Sequence, residues 1–378
     1  MKKQLNRYLL KSLKTDLKDK ILIITGPRQS GKTTLAKSLF QSFDYLNYDN
    51  REDHNLILEK SWDRKKKYII FDEIHKKENW KTWIKGIYDT EGLPPGLVVT
   101  GSARVESYKK IGDSLAGRFF HYRLHPFDIK EITSLISISE KEAYNRLMSY
   151  GGFPEPFLKK SKSFYGKWKK SHLDTILKED LLSFKHVKSL HSLETLVQLL
   201  RDRIGSPLSY HSLQEDLDCS EKTIQNWFTH LENFYIAFKI TPWCKNISRS
   251  LKKQPKFYFY DISQVKDESA KIENLVACAL LKELHFREDV KGESWELFYL
   301  RNKDKQEVDF LISKDDKPFC LIEVKTSLDQ VSKGLSYFSK QFPKIKKIQL
   351  VLNLKKEKTF PNGIEIRKLI PWIKKMNF

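Results

Sequence analysis

Residues 21–34, Ile21-Leu22-Ile23-Ile24-Thr25-Gly26-Pro27-Arg28-Gln29-Ser30-Gly31-Lys32-Thr33-Thr34, decide how the first part of the chain is read. An apolar strand runs directly into a glycine loop, and the run TLAKSLF behind the loop is amphipathic at helical spacing. Gly26 and Gly31 permit the backbone angles that turn consecutive N–H groups inward around a β-phosphate, and the following helix presents its positive end to that charge. Pro27, Arg28, Gln29, Ser30 and Thr34 complete the expected cradle. Lys32 is placed to reach the β- and γ-phosphates, and the Thr33 hydroxyl is a candidate Mg²⁺ ligand. A bare GxxxxGK[ST] match arises by chance; the strand before it and the helix after it supply the context that makes it specific.

Outward from this loop, strands and helices alternate: FDYLNYD, a helix from about Arg51, KYIIFDE, a helix around ENWKTWIKGIYD, then GLVVTGS. Such alternation predicts an α/β domain with a parallel sheet covered by helices. The run Tyr68-Ile69-Ile70-Phe71-Asp72-Glu73 is a buried strand ending in two carboxylates about forty residues after the loop. Asp72 is expected to hold Mg²⁺ and Glu73 to polarise an attacking water. At the end of the next strand, Thr100 and Ser102 are both candidates for sensing the γ-phosphate. Arg118 and Arg123 follow; the planar fork of an arginine suits phosphate, so Arg118 is a candidate to act across a subunit interface. The competing reading of Arg118 is a surface arginine paired with a carboxylate.

The set GPRQSGKTTL, FDEIH, VVTGSAR, SLAGR followed by an HPF segment, and YGGFPEPF resembles a prokaryotic AAA+ ATPase family. Members of that family carry a C-terminal domain long classed as of unknown function, with a restriction-endonuclease-like fold. The resemblance spans nearly the whole chain. It implies a cytoplasmic, Mg·ATP-binding protein that forms homo-oligomers with shared ATP sites.

Gly151-Gly152-Phe153-Pro154 punctuates the chain, so an AAA+ ATPase domain with a helical lid is expected over 1–155. A helical, winged-helix-like segment is expected over 156–250. There LETLVQLLRDRIG, SLQEDLD and EKTIQNWFTHLENF read as three helices, with Ser220 as N-cap of the last. Ile224, Phe228 and Leu231 share one face of that helix and are expected to be buried. Lys222, Gln225 and Asn226 lie opposite, where Gln and Asn can read adenine edges and Lys can bind a phosphate. The alternative is a solvated face on a packing helix.

Residues 251–378 change pattern. A helix over KIENLVACALLKELHF precedes strands SWELFYLR, QEVDFLI and PFCLIEVK, with a further helix from about Gln330 and the strand KIQLVLN. The order is that of a restriction-endonuclease-like α/β core. Asp309, Glu323 and Lys325 reproduce its D…ExK arrangement, in which two carboxylates meet to bind Mg²⁺ or Mn²⁺ and the lysine orients a water or steadies a phosphate. Glu273 on the preceding helix resembles the additional acidic residue of such sites. The competing readings are an inactive ion-pair cluster and ordinary strand-end charges.

Composition bounds the whole. The 378 residues exceed one comfortable core, and 40% apolar content excludes a disordered chain. No apolar run is long enough to span a bilayer, the N-terminus breaks its apolar residues with charge, and four scattered cysteines suggest a reduced, cytoplasmic setting. The net charge of +21, from 69 basic against 48 acidic residues, favours an anionic partner, DNA first among nucleic acids, although lysine enrichment throughout the chain offers a compositional explanation. The leading expectation is therefore an ATP-hydrolysing protein acting on nucleic acid. A signalling or scaffold switch with a non-catalytic tail, and an ATP-regulated defence or toxin nuclease, fit the same residues.

Overall fold

The computed structural model describes residues 5–101, 115–177, 190–244, 254–328 and 330–378. The chain divides into two compact units: Met1–Pro126 with Asn233–Tyr235 and Asp289–Lys291, and the remainder.

The first unit is built on five strands, β1 (Ile21–Thr25), β2 (Phe43–Asn47), β3 (Tyr68–Asp72), β4 (Gly96–Gly101) and β5 (Phe119–Arg123), in the order β2-β3-β4-β1-β5. All neighbours are parallel. β1 and β3 are buried along their full length, which explains why both read as unbroken apolar runs. Helices begin where the sequence offers a cap: Asn50 accepts from the N–H groups of Glu52 and Asp53 to start Arg51–Glu59. The apolar core gathers Ile21, Ile23, Ile69, Phe71, Ile84, Val99 and Trp80 between sheet and helices. Register aligns the C-terminal ends of the central strands, with Thr25 opposite Gly101 and Asp72 opposite Thr100. Ligands of open α/β sheets collect at that edge.

The second unit holds an eight-stranded mixed sheet. Its strands are β6 (Ala237–Pro242), β7 (Lys256–Phe259), β8 (Trp295–Arg301), β9 (Glu307–Lys314), β10 (Lys317–Lys325), β11 (Lys346–Val351), β12 (Lys358–Thr359) and β13 (Ile364–Lys368), in the order β12-β13-β11-β10-β9-β8-β6-β7. The grouping does not follow the expected boundaries at 155 and 250. β6 pairs with β8 through Thr241 and Pro242, which carries part of the expected helical segment into the C-terminal sheet. Residues 127–155 group with this unit because ion pairs tie them there: Lys282 to Glu131 at 2.6 Å, Lys130 to Glu283 at 2.7 Å and Lys374 to Glu140 at 2.8 Å.

The helix Glu268–Lys291, capped by Asp267, is bonded to β7 through Asn274 and Phe259, and the helix Lys333–Gln341 lies between β10 and β11 in sequence. Gly334 allows that second helix close to the sheet: a Cβ there would fall 1.8 Å from the Glu307 carbonyl oxygen. The strands β12 and β13 and the helix Leu369–Lys375 extend the arrangement beyond the core read from the sequence.

Candidate functional site

Three loops meet at the C-terminal edge of the first sheet. After β1 the chain turns through Gly26 at φ 144° and Gly31 at φ 97°. A Cβ on Gly26 would sit 2.2 Å from the Leu124 carbonyl oxygen, so only glycine fits this approach. The helix Lys32–Lys37 then begins. Pro27 is buried, Arg28 is half-buried, and Gln29 and Thr34 are exposed. The buried Lys32 ammonium donates back to the loop carbonyls of Gly26 (3.0 Å) and Pro27 (2.8 Å). Ser30 Oγ is buried without a hydrogen-bond partner among the described residues. Such an orphaned donor in a loop ringed by turned-in backbone is consistent with an anionic ligand.

Asp72, at the end of β3, is the hub of the edge. Its Oδ2 accepts from the hydroxyls of Thr33 (2.9 Å) and Tyr45 (2.8 Å), while Oδ1 accepts from Thr100. Thr33 and Asp72, both named from the sequence, are thus brought together, and Thr100 joins them as a partner of Asp72. Ser102 lies outside the described residues. Tyr45 was missed, because a tyrosine in a strand ordinarily signals core packing. Arg7 was missed as well: it is buried and donates to the carbonyls of Ser30 (2.8 Å) and His125 (2.6 Å), bracing the glycine loop.

Glu73 follows Asp72 with a left-handed backbone (φ 55°), its N–H bonded to the Thr100 carbonyl at 3.0 Å. Burial pushes its carboxyl up to about 7, opposed by Lys32 and reinforced by Asp72. His75 Nε2 stands 3.6 Å from Glu73 Oε2. Burial lowers the imidazole to about 4, so it is neutral near pH 7 and the contact is not an ion pair. Arg118 is paired with Asp89 at 2.6 Å on the surface, and Arg123 with Asp289 at 2.6 Å. Chemically this edge can bind a triphosphate, with Lys32 released from its carbonyls, and hold Mg²⁺ through Thr33 and Asp72.

A second cluster forms in the other unit, where β9 and β10 lie side by side. The pairing of β8 with β9 shifts register between Phe298–Leu311 and Leu300–Val308, accommodating an extra β9 residue in the stretch that holds Asp309. Asp309 on β9 and Glu323 on β10 thus stand on neighbouring antiparallel strands. Asp309 Oδ2 accepts from the Val324 N–H at 2.8 Å, and the Asp309 N–H lies 3.4 Å from Glu323 Oε2. Lys325 pairs with Glu323 at 2.6 Å. Burial, with Asp309 adding, holds the Glu323 carboxyl above the usual carboxylate range.

Glu273, on the long helix, accepts from the Tyr258 hydroxyl at 2.7 Å, and Gly205 opposite leaves room for its carboxylate. At the centre of this cluster is a residue that sequence reading missed. The fully buried Lys256 on β7 places its ammonium 2.6 Å from Glu307, 3.2 Å from Glu273 and 3.7 Å from Asp309. Nothing in the run KQPKFYFYD marks that lysine as buried. Among the described residues no three His, Cys, Asp or Glu side chains converge closely enough to hold a metal ion. Glu273 and Glu323 each lie near Asp309, but the three carboxylates are turned to other partners and do not fit a metal as they stand.

The third candidate is the helix Glu221–Asn233. Ser220 caps it, accepting from the Thr223 N–H at 3.2 Å. Ile224, Trp227, Phe228 and Leu231 are buried, and Phe228 stacks on Phe257 of β7 with ring centroids 4.0 Å apart. Lys222, Gln225 and Asn226 are exposed on the opposite face.

Residues 18–133 match a family model described as an AAA domain. Residues 141–266 and 268–372 match two models of domains of unknown function, DUF8612 and DUF4143. The chain is similar to the uncharacterized protein MJ1544 of Methanocaldococcus jannaschii, 26% identical over 349 residues that cover 83% of this chain and 76% of that protein. The uncharacterized protein Rv2008c of Mycobacterium tuberculosis is 22% identical over 334 residues, 83% of this chain and 72% of that one. A signal-transduction ATPase with a tetratricopeptide repeat sensor from Pyrococcus horikoshii aligns at 14% identity and a TM-score of 0.25. That alignment covers 75% of this chain and about half (48%) of the solved one. The first unit thus carries an AAA-type domain. No helix among the described residues is long and apolar enough to cross a membrane.

Proposed function

We propose that this protein binds and hydrolyses ATP with Mg²⁺ in its AAA-type unit and uses that cycle to act on nucleic acid, DNA in the first instance. The observation that carries the ATP part is the convergence of Thr33 and Thr100 on Asp72, beside a glycine loop whose lysine and serine are set for an anion. Lys32 binds the β- and γ-phosphates, and Thr33 and Asp72 hold the metal. Bound Mg²⁺ supplies charge neutralisation at the phosphates. Glu73, raised toward neutrality and one residue beyond Asp72, takes up the proton of the attacking water. Arg118 reaches the γ-phosphate of a neighbouring copy in a homo-oligomer with shared sites, exchanging its surface partner Asp89 for phosphate.

Nucleic-acid action is supported by net charge, by the exposed face of Lys222, Gln225 and Asn226, and by the elements around it. A helix Leu190–Arg201, a single bridge from Pro207 to Lys256, two further helices and the antiparallel pair β6–β7 follow in the order of a winged helix. The helix–strand–strand–strand–helix–strand order around Asp309, Glu323 and Lys325 is that of a nuclease-like core, and this unit is read as binding DNA.

The deciding experiment measures binding of duplex, forked and junction DNA across a salt series, together with ATP turnover with and without each DNA. A salt-sensitive affinity and a change in turnover are expected. No salt-dependent binding together with no effect on turnover would sink the nucleic-acid reading while leaving the ATPase assignment intact. A second reading is favoured by one observation, the lack of a metal-competent carboxylate cluster among the described residues. In it the protein is an ATP-controlled switch whose tail is a non-catalytic interaction module. It predicts that Asp309→Ala leaves activity in the cell unchanged while Lys32→Ala abolishes it.

A further inference from the structure

Lys256 is the largest departure from what a D…ExK centre requires. Divalent cations of this kind need carboxylate oxygens at about 2.0–2.6 Å, converging from at least two side chains. Here the convergence point of Glu273, Glu307 and Asp309 is filled by an ammonium group with no exposed surface. The remaining carboxylate contacts are also committed. Glu323 is engaged by Lys325, Glu273 also by Tyr258, Glu307 also by Arg301 at 2.6 Å, and Asp309 Oδ2 by the Val324 amide. A divalent ion entering beside Asp309 would meet a like charge held in place by three anions, in a buried setting where such repulsion is weakly screened.

Lys256 is also fixed from behind. It lies on β7, pairs in register with Ile240 of β6, bridges to Pro207, and has its ammonium 5.4 Å from the centre of the Tyr299 ring. It is therefore not a side chain free to swing aside. Removing one partner of a buried ion cluster leaves the others uncompensated, which gives the arrangement a clear signature on substitution.

We propose that Lys256 is a built-in counter-ion occupying the acidic centre of the second unit, that this centre takes no divalent cation in the native protein, and that removing the lysine charge creates a divalent-cation site there. The proposal rests on the D…ExK reading of Asp309, Glu323 and Lys325.

The test titrates Mn²⁺ into nucleotide-free full-length protein carrying Asp72→Asn, which removes the carboxylate that would hold a metal at the phosphate loop, and follows the free-Mn²⁺ paramagnetic resonance signal. Thermal unfolding is recorded with and without Mn²⁺. With Lys256 present, no Mn²⁺ should bind in a manner sensitive to Asp309→Asn, and the melting temperature should not move with Mn²⁺. Lys256→Arg, which keeps the charge, should behave the same way. Lys256→Met should gain Mn²⁺ binding and a Mn²⁺-dependent rise in melting temperature, both lost on adding Asp309→Asn. If Lys256→Met is unfolded without metal, Mn²⁺ should restore the fold; a variant that stays unfolded in Mn²⁺, or folds and binds none, overturns the proposal. Asp309-dependent Mn²⁺ binding by the protein with Lys256 intact overturns it directly. DNA cleavage is assayed separately: a Lys256→Met protein that binds Mn²⁺ yet cuts no DNA overturns the nuclease-like reading alone.

Discussion

Burial and a left-handed backbone single out Glu73 among the carboxylates of the phosphate edge. A general base must be ionised to act, and burial raises this carboxyl to about 7 despite the nearby Lys32. Below that pH the residue carries a proton and cannot accept one, so kcat/KM for ATP, which reports the free enzyme, should rise as pH passes upward through about 7. Glu73→Gln keeps the shape, loses the base and should lower kcat by about 10²–10⁴-fold while binding ATP. A pH-rate profile of the two proteins checks both, and a Glu73→Gln protein turning over at the native rate would remove Glu73 from the mechanism. Lys32, Thr33, Asp72 and Glu73 stand out in the sequence as candidates because phosphate chemistry requires their types at that spacing, and the fold brings Thr33 onto Asp72. Tyr45 and Arg7 were not, since a hydroxyl aimed at Asp72 and a guanidinium under the loop depend on where distant segments fold back.

At the level of the element, the helix Glu221–Asn233 separates a packed face from an exposed one. Phe228 is 1% exposed and stacked on Phe257. Phe228→Ala should therefore cost about 3–5 kcal/mol of stability by leaving a cavity. Asn226→Ala, on the exposed face, should change stability by less than about 0.5 kcal/mol, and under the DNA reading should still weaken DNA binding. Denaturant unfolding and a DNA titration of the two variants provide the check; unchanged DNA affinity in folded Asn226→Ala protein would assign that face to solvent. Helical period and the Ser220 cap made this helix readable from the sequence. The strands β6 and β7 were not readable in the same way: AFKITP is short, and KFYF is an apolar run too brief to distinguish strand from helix. β6 pairs with its successor β7 and, on its other side, with the later strand β8.

For the molecule as a whole, charge and assembly carry the remaining consequence. If Arg118 acts on a neighbour's nucleotide, ATP turnover per chain should increase with protein concentration over the range in which the protein self-associates. Arg118→Ala should flatten that dependence without weakening nucleotide binding. Specific activity against concentration, read beside sedimentation velocity, tests this; equal turnover in dilute and concentrated protein would return Arg118 to its surface pair with Asp89. The division into two units was only partly legible. The sequence marks its breaks with Gly151 and Gly152, whereas the ion pairs of Lys130, Glu131 and Lys374 that group residues 127–155 with the later sheet join positions far apart in the chain.

The buried lysine on β7 has a bearing on ancestry and descent as well as on binding. A lysine codon is one base change from codons for asparagine, glutamine, threonine and, in one of its two forms, methionine. A lineage that retained the surrounding acids and exchanged this one residue would need no new scaffold to acquire metal chemistry, and a lineage that fixed the lysine would have closed that chemistry off in one step. Among relatives of this chain, the identity of the residue at that strand position is thus the character by which branches that bind a divalent cation there and branches that do not should sort.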